Sequence, residues 1–480
     1  MTLDHDACYR ALLARDARFD GLFFVGVKTT RIYCRPVCTA RTPFRVNCTF
    51  YPTAAAAEAS RFRPCLRCRP ELAPGHAPVD ATQQMAWRAA ARIQAGALTG
   101  GSLDSLAEEL GISARQLRRV TQQHLGASPV ELAQTHRLLL AKQLLTETRL
   151  PVIDVALASG FSSVRRFNAL VRSAYKMTPL NMRRKNGAEV TGQPLTITLA
   201  YRPPLAWPEL LAYLAGRAMP GVELVEGDAY MRTIAMGRER GWIKVRPRHE
   251  RNQLIVEVAP SLLRFLPEVI VRLRNLFDLN ARPDIIAAAL ARDSGMRSAV
   301  REHPGLRVPG GFSEFEVAVR AIIGQQNSVR AATTISGRLA GEFGESIVTP
   351  HSSLNRLTPS AETLASATPK RLGNLGLTSR RAESIVALAK AVADRKIALA
   401  PGAPPEETVG ALVDVSGIGD WTAQYVAMRA LRWPDAFPAG DLVLRRFLGQ
   451  GNVRRARERA EIWRPWRAYG AMHVWQMSQQ

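Results

Sequence analysis

Between residues 81 and 185 apolar positions recur every three or four residues, and Gly and Pro break the rhythm. The run L-D-S-L-A-E-E-L-G-I-S-A-R-Q-L-R-R-V-T-Q-Q-H-L-G reads as a helix, a Gly turn and a second helix opened by Ser113 as its N-cap. A like unit recurs over 151–179, and 129–146 predicts one long helix between the two. Farther on, strand-like runs appear: L-T-I-T-L-A-Y, Y-M-R-T-I-A-M, W-I-K-V-R-P and Q-L-I-V-E-V. They alternate with the helical runs W-P-E-L-L-A-Y-L-A-G-R and L-P-E-V-I-V-R-L-R-N-L-F. From residue 310 onward helices dominate. The Pro- or Gly-containing polar stretches 70–79 and 186–194 read as linkers. The chain is therefore expected to be multidomain and mainly α, with boundaries near 1–76, 80–186, 193–300 and 301–480. The first part is expected to be a small α/β domain, the second helical, the third mixed α/β and the fourth helical.

One stretch, 415–446, organises the last part. Gly417-Ile418-Gly419 makes a tight turn that opens directly onto an apolar-periodic run. Two glycines around an aliphatic residue let the backbone come close to a ligand. The free N–H groups of the helix that follows suit an anion such as a DNA phosphate. Alone, such a turn is ordinary helix punctuation. Here Asp441 follows 22 residues after Gly419, isolated between Gly440 and Leu442 and preceded by a Pro-rich turn.

Charge extends the picture. The 480 residues carry 65 Lys and Arg against 41 Asp and Glu, a net charge of +24. Residues 1–190 hold 27 basic and 14 acidic groups, so both parts of the chain are positive. A polyanion met along the whole length, most simply double-stranded DNA, fits this distribution, as does an Arg-rich proteome. No apolar stretch approaches the ~20 residues of a membrane span, so no membrane partner is expected. The N-terminus lacks a signal pattern, and a cytoplasmic, monomeric protein is expected.

All six cysteines lie before residue 69. Cys34 and Cys38 form C-x3-C, and Cys65 and Cys68 form C-x2-C, separated by 26 residues. Two short ligand pairs at such spacing suit one tetrahedral Zn²⁺. Disulfides are the alternative, disfavoured where thiols stay reduced. Cys8 and Cys48 lack a close partner and read as small core residues. Arg31, Arg35, Arg41, Arg45, Arg61, Arg63, Arg67 and Arg69 crowd the four ligands, more basic groups than a structural staple needs.

Three resemblances rest on these residues. F-F-V-G-V-K-T-T-R-I-Y-C-R-P-V-C with F-R-P-C-L-R-C-R-P resembles the N-terminal domain of the Ada alkylation-response family. The resemblance implies a zinc site in which the first ligand, Cys34, accepts a methyl group from a DNA methylphosphotriester, the other three holding the metal. The paired helical units, the second ending in A-S-G-F…F…Y-K-M-T-P, resemble the double helix-turn-helix of AraC-type regulators. Their second helices would then enter the major groove with Arg115, Gln116, Arg118 and Arg119, and with Ser162, Ser163, Arg165, Arg166 and Asn168. The hairpin with W-T-A-Q-Y, F-P-A-G-D and W-R-P-W-R-A-Y resembles the helix-hairpin-helix DNA glycosylases, and within them the AlkA-type 3-methyladenine glycosylases. Residues 195–300 resemble the N-terminal domain of the same family.

That last resemblance implies more. Asp441 becomes the catalytic carboxylate, and Gly417 and Gly419 the phosphate contact. Members that also cut the strand carry a Lys two residues after the second hairpin Gly, where this chain has Trp421, so a monofunctional enzyme using water is implied. Gln325 and Gln326 fall at the DNA-intercalating loop, where AlkA-like sequences often place an aliphatic wedge. Trp421, Tyr425, Trp463 and Trp466 are candidates for a cleft that stacks a flipped, electron-poor base, although each is equally a core residue by pattern. A glycosylase fold that only binds DNA remains the other reading. No Cys follows Cys68, so the Pro-Cys-His-Arg acceptor of full-length Ada is missing and repair of O6-methylguanine is not expected.

Overall fold

The computed structural model describes residues 4–74, 84–183, 193–399, 403–449 and 451–478. Both expected linkers fall largely outside these residues; of the first, Pro70–Leu72 form a short 3₁₀ turn. The chain divides into two compact units, Met1–Pro203 with Arg248–Val271, and Pro204–Pro247 with Arg272–Gln480.

The first unit opens with a four-stranded sheet in the order β3-β1-β2-β4, formed by Phe24–Val27 (β1), Ile32–Cys34 (β2), Cys48–Tyr51 (β3) and Arg63–Pro64 (β4). β2 pairs antiparallel with β1 and parallel with β4, which brings Cys34 toward the segment carrying Cys65. A short helix, α1 (Ala54–Ala59), capped by Thr53, is almost all alanine and packs without side-chain bulk. Cys8 and Cys48 are buried in an apolar cluster with Leu22, Phe23, Val25 and Phe50.

The helical pairs follow: α2 (Leu103–Glu109) and α3 (Ala114–Leu125), the long α4 (Pro129–Glu147), then α5 (Val152–Ala158) and α6 (Val164–Tyr175). Ser113 and Ser163 cap α3 and α6 by accepting from Gln116 N and Arg166 N. The two helices bury the same frame. From 113 to 125 and from 163 to 175 the sequence of exposed, intermediate and buried positions is identical. Leu117, Thr121 and Leu125 face inward in one, Phe167, Val171 and Tyr175 in the other. α3 ends on Gly126 at φ +71°, α6 on Lys176 at φ +57°. The unit also contains β5 (Leu195–Ala200), paired antiparallel along its length with β9 (Gln253–Val258).

The second unit holds the antiparallel meander β6 (Glu223–Glu226), β7 (Ala229–Met236) and β8 (Glu239–Arg248), together with α7 (Trp207–Ala215). β6 has no sequence forecast because it is only four residues long and two of them, Glu223 and Glu226, are charged. The remainder is helical: α8 (Glu314–Gly324), α9 (Val329–Phe343), α10 (Ser379–Ala393), α11 (Pro405–Val413), α12 (Asp420–Arg429), α13 (Leu442–Gly449) and α14 (Arg467–Met477). One core runs through most of these, with Val317, Ile322, Leu339, Ile385, Leu388, Leu412, Ile418 and Val426 at its centre.

Candidate functional site

The sulfurs of Cys34, Cys38, Cys65 and Cys68 all lie within 4.8 Å of one another. Tetrahedral thiolates at 2.3 Å from Zn²⁺ stand about 3.8 Å apart, so the cluster fits that ion. The polypeptide distributes its donors unequally over the four. Arg35 N donates to Cys68 Sγ and Arg67 N to Cys65 Sγ, each at 3.3 Å. The backbone at Ala40 donates to Cys38. Cys34 receives no backbone donor among the described residues, and with Cys68 it is the less buried of the set. Arg35 itself is buried, paired with Asp20 and donating to Cys68 O. Arg45 lies over the rings of Tyr9 and Phe50 and bonds Asp6, so its guanidinium is partly engaged within the domain.

On α3, Arg115, Gln116, Arg118 and Arg119 are exposed; so are Ser162, Ser163, Arg165, Arg166 and Asn168 at and before α6. Each set lies opposite its buried stripe, free to meet a partner.

The glycine turn connects α11 to α12. Gly417 has φ +85°, and a Cβ there would stand 2.0 Å from Ser384 Oγ on α10, so the position demands glycine on both counts. Gly419 differs: its φ is −95°, it is exposed, and a Cβ would meet nothing within 4 Å. It sits at the N-cap of α12 with no side chain satisfying the first N–H groups, open space in front of a helix N-terminus. Gln325 does not reach outward. Its Nε2 donates to Gly417 O at 3.0 Å and Thr422 Oγ1 at 2.9 Å, which ties the α8–α9 loop to the turn. Gln326 beside it is exposed and held in the left-handed region at φ +51°. Of the two glutamines Gln326 is the more exposed.

Asp441 precedes α13 as its N-cap. Its Oδ1 accepts from Val443 N at 3.0 Å, Leu444 N at 3.1 Å and Trp475 Nε1 at 3.0 Å, while Oδ2 has no partner among the described residues. The carboxylate is thus held on one oxygen and open on the other. Trp475 approaches Tyr425 with ring centroids 6.3 Å apart, and Tyr425 stacks on Trp421 at 5.5 Å and 20°. These three rings are half-buried and form a continuous aromatic surface leading to Asp441. The Tyr425 hydroxyl accepts from Arg429 at 2.8 Å and pairs with the Tyr213 hydroxyl at 3.0 Å. Burial opposes its ionisation, yet the charges of Arg429 and Arg217 hold the phenol down at about 8.

Two expectations need correction. Trp463 is 0 % exposed, donates to Asp293, and packs on Phe437 and against Gly470. Trp466 is 3 % exposed and meets Tyr469 edge-on. Neither offers a ring face, because both are packed into the core. Their place beside Asp441 is taken by Trp475, which sequence reading passed over. The sequence carried no special signal for it: Trp475 directly follows the run 467–474, all of which is buried.

Family models match four consecutive parts of the chain. They are the metal binding domain of Ada over 7–71, a helix-turn-helix domain over 106–185, the AlkA N-terminal domain over 196–313, and the HhH-GPD superfamily of base excision DNA repair proteins over 319–467. A solved 3-methyladenine DNA-glycosylase from Archaeoglobus fulgidus shares the fold of the later part (TM-score 0.50, 22% identity, covering 59% of this chain and 98% of its own). The class is therefore a helix-hairpin-helix base-excision fold joined to an Ada-type metal-binding domain and a helix-turn-helix. The chain is 35% identical over 279 residues to DNA-3-methyladenine glycosylase 2 of Escherichia coli, covering 58% of this chain and 96% of that protein. It is 40% identical over 483 residues to a probable bifunctional transcriptional activator/DNA repair enzyme AlkA of Mycobacterium tuberculosis, covering 98% and 96%. It belongs to this family of AlkA-type bifunctional activator and repair proteins.

Proposed function

We propose that the chain is a monofunctional DNA glycosylase that releases alkylated bases such as 3-methyladenine from double-stranded DNA, and a methyl-sensing transcription regulator in one. The observation that carries the first reading is Asp441, anchored by three N–H donors on Oδ1 and open at Oδ2, at the end of the Trp421, Tyr425 and Trp475 surface. An alkylated base leaves already carrying positive charge, so little acid catalysis is needed. What the reaction needs is a carboxylate beside the sugar to stabilise the oxocarbenium-like state and orient water, as in glycoside hydrolysis. Trp421 stands at the position after the hairpin where strand-cutting relatives carry the attacking amine. A duplex containing 3-methyladenine, assayed for free base, tests this against a fold that only binds DNA. Borohydride trapping is expected to give no covalent adduct.

The second reading places methyl acceptance at Cys34. One Zn²⁺, when bound, keeps the four sulfurs deprotonated at neutral pH. The Cys34 sulfur, which no backbone N–H damps, attacks the methyl carbon of a methylphosphotriester. The methyl C–O bond breaks, its electron pair stays on the phosphate oxygen, and a phosphodiester and a thioether result. Four thiolates on Zn²⁺ carry about −2, and methylation moves the site one unit toward zero. One unit at close range is worth on the order of 1–2 kcal/mol at an intermediate dielectric, roughly tenfold in DNA affinity. The faces at 115–119 and 162–168 would supply sequence readout. Locating the added mass after reaction with a methylphosphotriester oligonucleotide, then measuring promoter affinity at several salt concentrations, tests it. Methyl on another cysteine, or no gain in affinity, overturns it. This reading fits a monomeric protein of the cytoplasm.

A further inference from the structure

α4, the long helix between the two helix-turn-helix units, turns one stripe toward the cysteine domain: Thr135, Leu139, Lys142 and Thr146, spaced four, three and four apart. Three of the four are polar, yet Thr135, Leu139 and Lys142 are buried and Thr146 is half-buried. Thr135 Oγ1 donates to Glu58 at 2.5 Å, and the other Glu58 oxygen takes the hydroxyl of Tyr33 at 2.9 Å, the residue next to Cys34. Leu139 packs with Phe24, Tyr33, Ala57 and Phe62 of the cysteine domain. Thr146 receives Arg69, which also pairs with Glu147 and Glu71. Lys142 is the centre of this seam. Its side chain is 1 % exposed, and its ammonium donates to the backbone carbonyl of the zinc-ligand residue Cys65 at 2.9 Å and to Glu71, itself 1 % exposed, at 2.7 Å.

A buried ion pair seldom out-stabilises apolar packing of equal volume, so holding two parts together is a weak reason for burying one here. What such a pair supplies is register. α4 in turn touches both units: Tyr175 of α6 donates to Leu138 O, and Leu132 and Ala133 share a buried cluster with Leu117 and Leu125 of α3. Thr53 of the cysteine domain separately donates to Leu125 O at the end of α3. The close approach there leaves no room for a Cβ at Gly126, which would stand 2.9 Å from Ala56.

We infer that Lys142 is a positioning residue that passes the state of the cysteine centre to the helix-turn-helix pair. A change of charge at the sulfurs alters how its ammonium is shared between Cys65 O and Glu71, and so how α4 is seated. The coupling is mechanical and adds to any long-range repulsion of DNA. It rests on the reading that Cys34 becomes methylated.

The test uses the full zinc-loaded chain, treated with limiting methyl iodide and purified with one methyl on Cys34. Amide hydrogen exchange is followed over 135–147 and 164–175 before and after. In the wild type, exchange around Leu138–Gln143 is expected to change about threefold or more. In the paired variant Lys142→Met with Glu71→Gln, zinc content and Cys34 reactivity stay as in wild type but the change disappears; Lys142→Arg restores it. Should the paired variant fail to fold, Lys142→Gln, which keeps a donor and gives up the charge, carries the same comparison. A change that persists without the ammonium, or none in wild-type α4, overturns the inference. Methyl iodide makes this independent of the natural donor: a protein that ignores methylphosphotriesters sinks the earlier reading and leaves this one standing on its own data.

Discussion

Cys34 and Asp441 each sit at a candidate site, and the polypeptide treats them in opposite ways. Around Asp441 three N–H donors converge on one oxygen. Around the cysteines, among the described residues, the backbone donors go to Cys38, Cys65 and Cys68 and none to Cys34. The contrast follows from what each group would have to do. A carboxylate that stabilises charge and survives the reaction gains from a fixed position, because electrostatic help depends on orientation. A sulfur that attacks a carbon gains from undiminished electron density, and a donor on it would lower that. In the proposed roles the carboxylate would be reused and the sulfur consumed.

The largest effects should separate the two sites outright. Asp441→Asn is expected to lower base release on the order of 100-fold or more while leaving methyl uptake untouched. Cys34→Ser should abolish methyl uptake and leave base release at the wild-type rate. If either variant affects both reactions alike, the division of labour is wrong. Both are read by free-base assay and by mass.

Trp475→Phe sharpens the comparison by keeping the ring and removing one of the three donors to Asp441. Loss of one hydrogen bond to a charged group is worth about 1.5–3 kcal/mol, so base release should fall roughly 10- to 150-fold, with binding to undamaged duplex unchanged. An unaltered rate would mean that the carboxylate needs only its backbone donors.

The two hairpin glycines should part company. Gly417→Ala places a Cβ in the left-handed region and into Ser384, so stability should drop by at least about 1–2 kcal/mol, seen as a lower denaturant midpoint. Gly419→Ala has the space and the φ it needs, so stability should hold. Binding to damaged and undamaged duplex should then weaken equally, because a phosphate contact carries no sequence information. A purely lesion-specific loss would contradict the phosphate assignment.

The smallest effect is a titration. With the Tyr425 phenol near 8 against about 10 in an unfolded chain, the native state releases this proton first. Stability relative to Tyr425→Phe should therefore rise between about pH 8 and 10, the gain being lost as pH falls back through 8 and the difference level below that. A tyrosinate absorbance step near pH 8, missing in Tyr425→Phe, checks the assignment.

Much of this was legible in the chain. The Cys spacing announced a four-sulfur cluster because ligand pairs must be local, and Ser113 announced α3 because a cap is read from neighbours. What could not be read was set by long-range packing. Trp463 and Trp466 looked like cleft residues, yet both are packed into the core. Trp475 looked unremarkable until α14 carried it to Asp441. Gln325 was a plausible outward contact, but its amide is spent on Gly417 and Thr422 across 92 and 97 residues of sequence. Lys142 offered no signal at all: a lysine on a long helix reads as solvated until its partners at 65 and 71 are known.

The identical burial frame of 113–125 and 163–175 has a practical corollary. Because every inward position coincides, the outward residues form an exchangeable face. Arg165, Arg166 and Asn168 could be written onto positions 115, 116 and 118 without displacing a buried atom. The address such a helix reads is thus decoupled from the scaffold that holds it, and a lineage carrying this chain could move to new sites in its genome by surface substitutions alone.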